Sequence, residues 1–596
     1  MTMRTGLLAA ALLGATGAAA AELEFRLAGG DKGLGGTLEA TSLVAGTLRD
    51  AEDGALPRRD IVAAAQADYA RLLAALYEQG YFGPVISIEV DGVEATDLPV
   101  IGSEEPVGQV VIAVEPGPLF VFGQAEIAPL PEGIRPPPGF ETGARAGTSI
   151  LRQATSEGVE AWRAIGHAKA ELGGQQITAN HPDRRVDARL SLAPGPRLRY
   201  GAILIEGNEA VRSRQIDRIA DLDPGDVFDP EEIRDSARRL QRTGAFRSVS
   251  IVEAAEALPD ATLPMTIQVV ERLPRRIGFG AEIGTTEGAA LSAFWLHRNL
   301  TGFADSFRAE AEIRSIGGES GGEDYRLGAL YTRPATFNPE TDLFVGAEIE
   351  SLDEQEFSSD RAEVFVGARR IVSDEFQYSY GLSLEYSDVT DGFGDREFLI
   401  ASIPLEAQYD RRDDPLNPTD GYYIDARIDP FYGFETAGPG VLLNADLRGY
   451  QGFGAERNTV LAARLQLGTL VGPDLEDAPT GDLFFSGGGG TVRGQPFQSL
   501  SLELPSGREV GGRSFVGVAA EIRQKVTENI GVVGFVDWGQ ISESSSWSGG
   551  ESHAGAGLGV RYDTGIGPIR VDLAVPVAGP DDNSGFELYI GIGQAF

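Results

Sequence analysis

From residue 276 onward the chain alternates between apolar and polar positions with a period of two, the spacing at which successive side chains of a β-strand point to opposite faces. Ile403, Leu405, Ala407 and Tyr409 share one face, and Glu406, Gln408 and Asp410 the other. Tyr422, Ile424, Ala426 and Ile428 oppose Asp425, Arg427 and Asp429, while Ile569, Val571, Leu573 and Val575 oppose Arg570 and Asp572. A lipid-facing apolar band around a charged interior gives this pattern in a transmembrane barrel, although a soluble sandwich alternates too. The end of the chain favours the barrel: Phe586, Leu588, Ile590, Ile592 and Phe596 fall on one face, and the last of them is an aromatic carboxyl terminus. At about 20 residues per strand and connection, the 320 residues from 277 to 596 predict roughly 16 antiparallel strands. An even number returns both ends of the barrel, predicted over 276–596, to the side where the chain enters.

The residues before 276 follow another rhythm. Three segments carry a helical pattern that ends in glycine and passes into a strand: YEQGYFGPVISIEV from 77, WRAIGHAKAELGG from 162 and QRTGAFRSVSIVEA from 241. Their glycines, Gly80, Gly166 and Gly244, lie 86 and 78 residues apart. EPGPLFVFGQAEI from 115 matches APGPRLRYGAILIEG from 193, with Pro116 and Pro194 again 78 apart. Two markers that share one spacing indicate a repeat. Within a unit, Arg197 to Glu206 reads as a strand and Val211 to Ala220 as a helix; Pro230 to Thr243 reads as a second helix, capped by Asp229 and stopped by Gly244. Strands at 247–253 and 263–270 complete a β-α-α-β-β order. Three such α+β modules are predicted, over 22–116, 117–195 and 196–275. A small mixed sheet with helices on one face leaves an edge strand to which an incoming chain can add.

Residues 1–21 read as a secretory signal peptide: Arg4 precedes an apolar run through Leu7, Leu8, Leu12 and Leu13, and Ala19, Ala20 and Ala21 offer a cleavage site before Glu22. No later run reaches the ~18–20 apolar residues of a spanning helix, so a membrane crossing must be a closed barrel. Cysteine is absent, which excludes a disulfide framework and a lipid-modified cysteine. The net charge of −39 argues against nucleic acid as a partner and reads as a solvated acidic surface. His167, His181, His297 and His553 show no metal-ligand spacing, and no GK[ST] phosphate loop occurs. Glu319, Ser320, Gly321 and Gly322 match the nucleophile segment of trypsin-like proteases in letters alone, with no histidine near them in sequence. No enzyme activity, cofactor or metal site is expected.

The segment GGGGTVRGQPFQSL at 487–500 places Arg493 on a glycine-rich loop among barrel strands, where backbone can pass close to backbone. A guanidinium buried there requires carboxylate partners, or its burial costs several kcal/mol.

VRG at 492–494, FVDWG at 535–539, YDRRDDPLNPTDGYY at 409–423 and GLGVRYDTGIGPIRVDLAVPV at 557–577 resemble the barrel motifs of the outer-membrane protein assembly family of BamA and TamA. Three N-terminal units, and GGRSF closely following VRGQPFQSL, look like the TamA type, in which three polypeptide-transport-associated (POTRA) domains precede a 16-stranded transmembrane β-barrel. The resemblance implies a protein of the outer membrane with its POTRA domains in the periplasm, assisting the folding and insertion of other barrels, autotransporters among them. It implies a TamB-like partner anchored in the inner membrane and a relation to outer-membrane lipid. It also implies that Val492, Arg493 and Gly494 lie on the sixth surface loop, over 469–512, folded back into the lumen, with the arginine meeting acids on the next two strands. By position these are Glu521 and Asp537. Parity agrees, because Val516, Val518, Ala520 and Ile522 form an apolar face that turns Glu521 inward, and Asp537 stands between Val536 and Trp538.

In the family an aromatic residue follows VRG; here Gln495 stands in its place, with Phe497 as the candidate substitute. The first and last barrel strands are expected to meet in a short lateral seam that opens for a nascent strand. Gly280 lies on its first strand; Gly591 and Gly593 thin the last strand, Gln594 interrupts its lipid-facing row, and Phe596 ends it as the C-terminal recognition signal. A two-partner secretion pore exporting a soluble adhesin and a passive porin or receptor are the alternatives. The three modules argue against both, and an arginine loop in the lumen against the porin.

Overall fold

The computed structural model describes residues 21–50, 56–99, 106–284, 288–318, 321–454, 457–565, 567–579 and 585–596. The signal-peptide segment up to residue 20, and Glu319 and Ser320, lie outside the described residues. Two compact units divide the chain: Met1–Ala202 with Asp223–Glu232 and Ala254–Pro264, and Ile203–Leu222 with Ile233–Glu253 and Met265–Phe596. The division passes through the last of three α/β modules.

The modules share a sheet plan. In the first, Glu22–Leu27 lies parallel to Gln109–Glu115, whose other edge pairs antiparallel with Val85–Val90. In the second, Val121–Ala128 lies parallel to Arg185–Ala193, and Glu171–Asn180 antiparallel to it. In the third, Thr262–Glu271 separates Arg199–Glu206 from Phe246–Glu253. The last helix of each module ends at a left-handed glycine: Arg58–Glu78 before Gly80 (φ 80°), Thr148–Arg163 before Gly166 (φ 100°) and Pro230–Arg242 before Gly244 (φ 72°). Glycine alone adopts that conformation without steric cost, which is why the repeat is legible through its glycines. In the third module the Glu231 N–H donates to the Asp229 carboxylate at 2.8 Å, the expected cap.

The β-α-α-β-β order holds in the third module alone. The first carries three helices, Leu34–Thr41, Leu43–Asp50 and Arg58–Glu78, and an extra two-residue strand, Val93–Glu94. The second has one helix among the described residues; where another would start stand Pro129, Pro131, Pro136, Pro137 and Pro138, which lack the N–H that a helix interior uses. Separate cores stabilise the modules, with Leu38, Leu72, Ile88 and Ile112 in the first and Phe120, Phe122, Val186 and Leu190 in the second. Helix Ser213–Ala220 of the third packs through Ile216 and Ile219 on Ala304 and Ala335, which lie in turns of the barrel. There Gln215 Nε2 donates to the Pro334 carbonyl at 3.2 Å, and Arg212 and Arg333 each stand 4.2 Å from the ring of Phe303.

Seventeen strand segments close into an antiparallel barrel, from Arg275–Gly284 to Glu587–Ile592. Along Ser514–Lys525, Ala519, Glu521 and Arg523 are buried while Val518 and Ile522 are exposed, the apolar-out and polar-in alternation of a barrel in lipid. Gly394–Ser402 and Leu405–Asp410 pair with the same two neighbours, Phe376–Asp391 and Gly421–Phe434. Ile403 and Pro404, read as continuous with the following strand, break the ladder between these two segments, because proline has no N–H to contribute.

Among the described residues, Ile283↔Ile590 and Gly284↔Tyr589 are registered pairs between the first and last strands. Arg275 to Glu282 have no registered partner on the last strand. Continued, this register sets Glu282 rather than Gly280 beside Gly591, and Gly280 pairs with Ser292 of the second strand. Gly591 leaves room for Arg570, which reaches Glu282 across the seam at 3.7 Å.

Two expectations for the chain end are corrected. Gly593 is not within the last strand but just beyond it, at φ 94°, with its N–H donated to the Pro568 carbonyl at 2.7 Å. The left-handed turn there resets the alternation, so Phe596 leaves the outer row of Phe586, Ile590 and Ile592 and is buried among Tyr450, Val460, Ala462 and Ala519. Gln594 likewise sits inside, accepting a 2.8 Å hydrogen bond from Arg561 Nε.

Candidate functional site

The longest barrel connection, residues 472–513 between Thr459–Val471 and Ser514–Lys525, turns back into the lumen and carries Arg493 to the inner wall. Arg493 is 2% exposed and its donors are directed at two carboxylates. Its Nε donates to Asp537 Oδ2 at 2.7 Å, Nη2 to Asp537 Oδ1 at 2.9 Å and Nη1 to Glu521 Oε1 at 2.6 Å. The backbone N–H of Arg493 adds a 3.1 Å bond to Asp537 Oδ2, and the guanidinium lies 3.7 Å from the ring of Phe535. The two-pronged contact to Asp537 matches the planar fork of a guanidinium and has no lysine equivalent. Burial works against the charge, but the Asp537 and Glu521 carboxylates outweigh it and hold the pKa of Arg493 above its ordinary value.

The charged group is larger than the sequence indicated. Asp572 Oδ2 lies 3.6 Å from Arg493 Nη1, and Arg561 pairs with the same carboxylate. Arg523 Nε donates to Glu521 Oε2 at 2.8 Å, and its Nη2 to the Phe596 main-chain oxygen at 2.9 Å. The side chains of three arginines and three acids thus balance one another in a buried group, which limits the desolvation penalty of each. Parity placed Asp572 on the inner face with Glu521 and Asp537; what no local pattern supplied was that its strand would curve round to the same arginine.

Close backbone approach makes this docking possible. Gly494 has φ 90°, and a Cβ there would lie 2.6 Å from the Val575 carbonyl oxygen. Val492 is fully buried against Gly539. The Gly494 N–H reaches the Tyr589 hydroxyl of the last strand at 3.3 Å, tying the loop to the seam. Gln495 fills the family's aromatic position differently: its side-chain amide donates to the Ala554 carbonyl at 2.8 Å and to the Ala578 carbonyl at 2.9 Å. Both carbonyls belong to the Ala554↔Ala578 pair, beside the register shift between Ala554 and Gly555. Phe497 does not substitute there; it lines a lumenal cavity of about 490 Å³ with Asp425, Asn444 and Asp446.

A second latch holds the loop's other limb. Arg396 pairs with Asp391, donates through Nη1 to the Glu476 carbonyl at 2.6 Å and through Nη2 to Thr480 Oγ1 at 2.8 Å. Thr480 Oγ1 in turn donates to Asp391 Oδ2 at 2.5 Å. Arg396→Ala is expected to free this limb at a cost of about 1–3 kcal/mol, since it leaves the buried Asp391 without its cation. Limited proteolysis should then cut within 472–490 while Arg493 stays seated; an unchanged cleavage pattern would remove the latch role.

The profile of the Omp85 superfamily domain matches residues 299–596, half of the chain, and a POTRA profile described as a surface antigen variable number repeat matches 198–272. The outer membrane protein assembly factor BamA of Neorickettsia risticii is 24% identical over 493 residues, covering 76% of this chain and 62% of that protein. BamA of Nitratidesulfovibrio vulgaris is 22% identical over 427 residues, covering 69% and 53%. The chain thus spans 62% and 53% of the length of these curated relatives. BamA from Haemophilus ducreyi lacking POTRA domains 1–3 superposes with a TM-score of 0.59 at 17% identity, covering 74% of this chain and 93% of that one. CdiB from Acinetobacter baumannii superposes at 0.51 and 15% identity, covering 80% and 90%. At such identities the likeness is one of fold.

Proposed function

Because this chain belongs to the Omp85 superfamily and is an outer-membrane β-barrel with periplasmic POTRA structure, we propose that it is an assembly factor that helps other barrel proteins, autotransporters among them, to fold and insert. What supports this reading is the seam: the first-strand edge from Arg275 to Glu282 has no registered partner on the last strand. A β-edge with free N–H and C=O groups is a template for an incoming strand. We count the two segments around Pro404 as one interrupted strand, which makes a sixteen-stranded barrel whose ends both lie at the periplasmic side. The three α/β modules are read as three POTRA domains of the TamA type, with open sheet edges to receive clients and a TamB-like inner-membrane partner.

The test is a lock. Cysteines at the registered positions Ile283 and Ile590 are expected to form a disulfide that abolishes insertion of a reporter autotransporter in reconstituted vesicles, with recovery on reduction. Full insertion by the oxidised protein would exclude lateral opening. The fold likeness to CdiB supports a second reading, export of one soluble polypeptide through the lumen. The same lock separates the two, since passage through the lumen would survive it.

A further inference from the structure

The motif YDRRDDPLNPTDGYY at 409–423 takes no part in the arginine site. Its centre, residues 411–420, is the turn between Leu405–Asp410 and Gly421–Phe434, on the side of the barrel where the chain enters. The turn is built to hold one shape. Asp413 Oδ1 accepts the backbone N–H groups of Asp414, Thr419 and Asp420 at 3.1, 2.8 and 3.1 Å, and Asp414 Oδ1 accepts those of Leu416 and Asn417 at 2.7 and 2.9 Å. Pro415 and Pro418 fix two further φ angles. Arg457, from the next turn on that side, stands 3.4 Å from Asp413 and 3.5 Å from Asp420. With its own donors so committed, the turn can offer acceptors to another segment without losing its shape.

Two acceptors of the turn go to the end of the last strand. The Gln594 backbone N–H donates to the Leu416 carbonyl at 3.2 Å, and Gln594 Nε2 donates to Asn417 Oδ1 at 2.9 Å. A Cβ at Gly567 or at Gly593 would lie 3.4 or 3.9 Å from the Leu416 side chain, so the turn also packs against backbone there. Successive N–H groups of a strand alternate between its two neighbours. The Gly593 N–H is directed at Pro568, just before Ile569–Ala578, so in a continued ladder the Gln594 N–H would serve the first strand. The register Ile283↔Ile590, extended, sets Ile592 beside Ala281 and Gln594 beside Phe279. Leu416 takes the donor that this extension would use.

We propose that the turn at 411–420 is a clamp on the seam, in which Leu416 and Asn417 are positioning residues that hold Gln594 off the first strand and so keep the edge from Arg275 to Glu282 available to an incoming strand. The clamp rests on the proposed assembly role for what that edge receives, but not for the state of the seam, so the two are measured apart. The chain has no cysteine of its own, and cysteines at Ala281 and Ile592 report closure of the extended ladder. Their disulfide yield after brief oxidation of the full chain in detergent would be scored against that of the Ile283 and Ile590 pair. Insertion of the reporter autotransporter would be followed in the cysteine-free protein. Asn417→Ala should raise the 281–592 yield about five-fold, the effect of releasing one hydrogen bond, and lower insertion. Asn417→Asp keeps the acceptor and should leave the yield low. Heat-modifiability on gels reports folding; should Asn417→Ala not fold, Gln594→Met, which withdraws the side-chain donor instead, carries the test. An unchanged yield in the folded variant, or an equal rise in Asn417→Asp, would overturn the clamp. A raised yield with undiminished insertion would uphold the clamp and overturn the edge as the place where clients enter.

Discussion

Arg493→Ala is expected to unseat the loop and destabilise the barrel by about 3–5 kcal/mol, because it leaves buried Asp537 without its cation and buried Glu521 with Arg523 alone. Most of that penalty comes from the stranded Asp537 carboxylate rather than from the packing of the arginine itself. The wild-type barrel should keep its compact mobility on denaturing gels run without boiling, the variant should lose it, and reporter insertion should fall with it. Arg493→Lys keeps the charge but cannot make the paired contact to Asp537, and an intermediate effect is expected. Removing an acid together with the arginine tests the cause: Arg493→Ala with Asp537→Asn should cost less than the sum of the two changes. Wild-type resistance and insertion in Arg493→Ala would show that the buried charges are dispensable.

Gly555→Ala is expected to produce a comparable loss without touching a charge. A Cβ at Gly555 would fall 1.9 Å from the Arg493 carbonyl oxygen, and both sides of that contact are backbone, so no side chain can rotate away. Overpacking of a rigid site costs about 1–3 kcal/mol, and more where the loop must leave altogether. The control is Gly534→Ala on the neighbouring strand, where a Cβ would meet Ile522 and Leu558 at 3.6 and 3.7 Å, ordinary contact distances. Protease sensitivity within 472–513 should rise sharply for the first variant and stay flat for the second. Equal behaviour of the two would mean that backbone approach at Gly555 does not govern docking.

What could be read in the sequence was whatever the chain states locally. The alternation that turns Glu521 and Asp537 inward needs only an extended backbone, and the module glycines reveal themselves because only glycine stops a helix in that way. Reading failed where alternation was interrupted. Pro404 splits one run of apolar positions into two segments, and Gly593 reverses the parity on which the outward assignment of Phe596 rested. Long-range placement was also out of reach: Asp572 looks like Asp537 in sequence, and only closure of the sheet brings it within 3.6 Å of Arg493. Gln495 illustrates a third limit. Its amide is matched to the Ala554↔Ala578 pair beside a register shift, and nothing within the loop announces that shift.

The inward turn at Gly593 has a consequence for the order of events in the protein's own biogenesis. Once seated, the terminal aromatic lies under Arg523, with its main-chain oxygen bonded and 6% of its surface exposed. Folding therefore withdraws from solvent the residue expected to act as a C-terminal recognition signal, so a receptor for that signal would bind the unfolded chain and not the folded one.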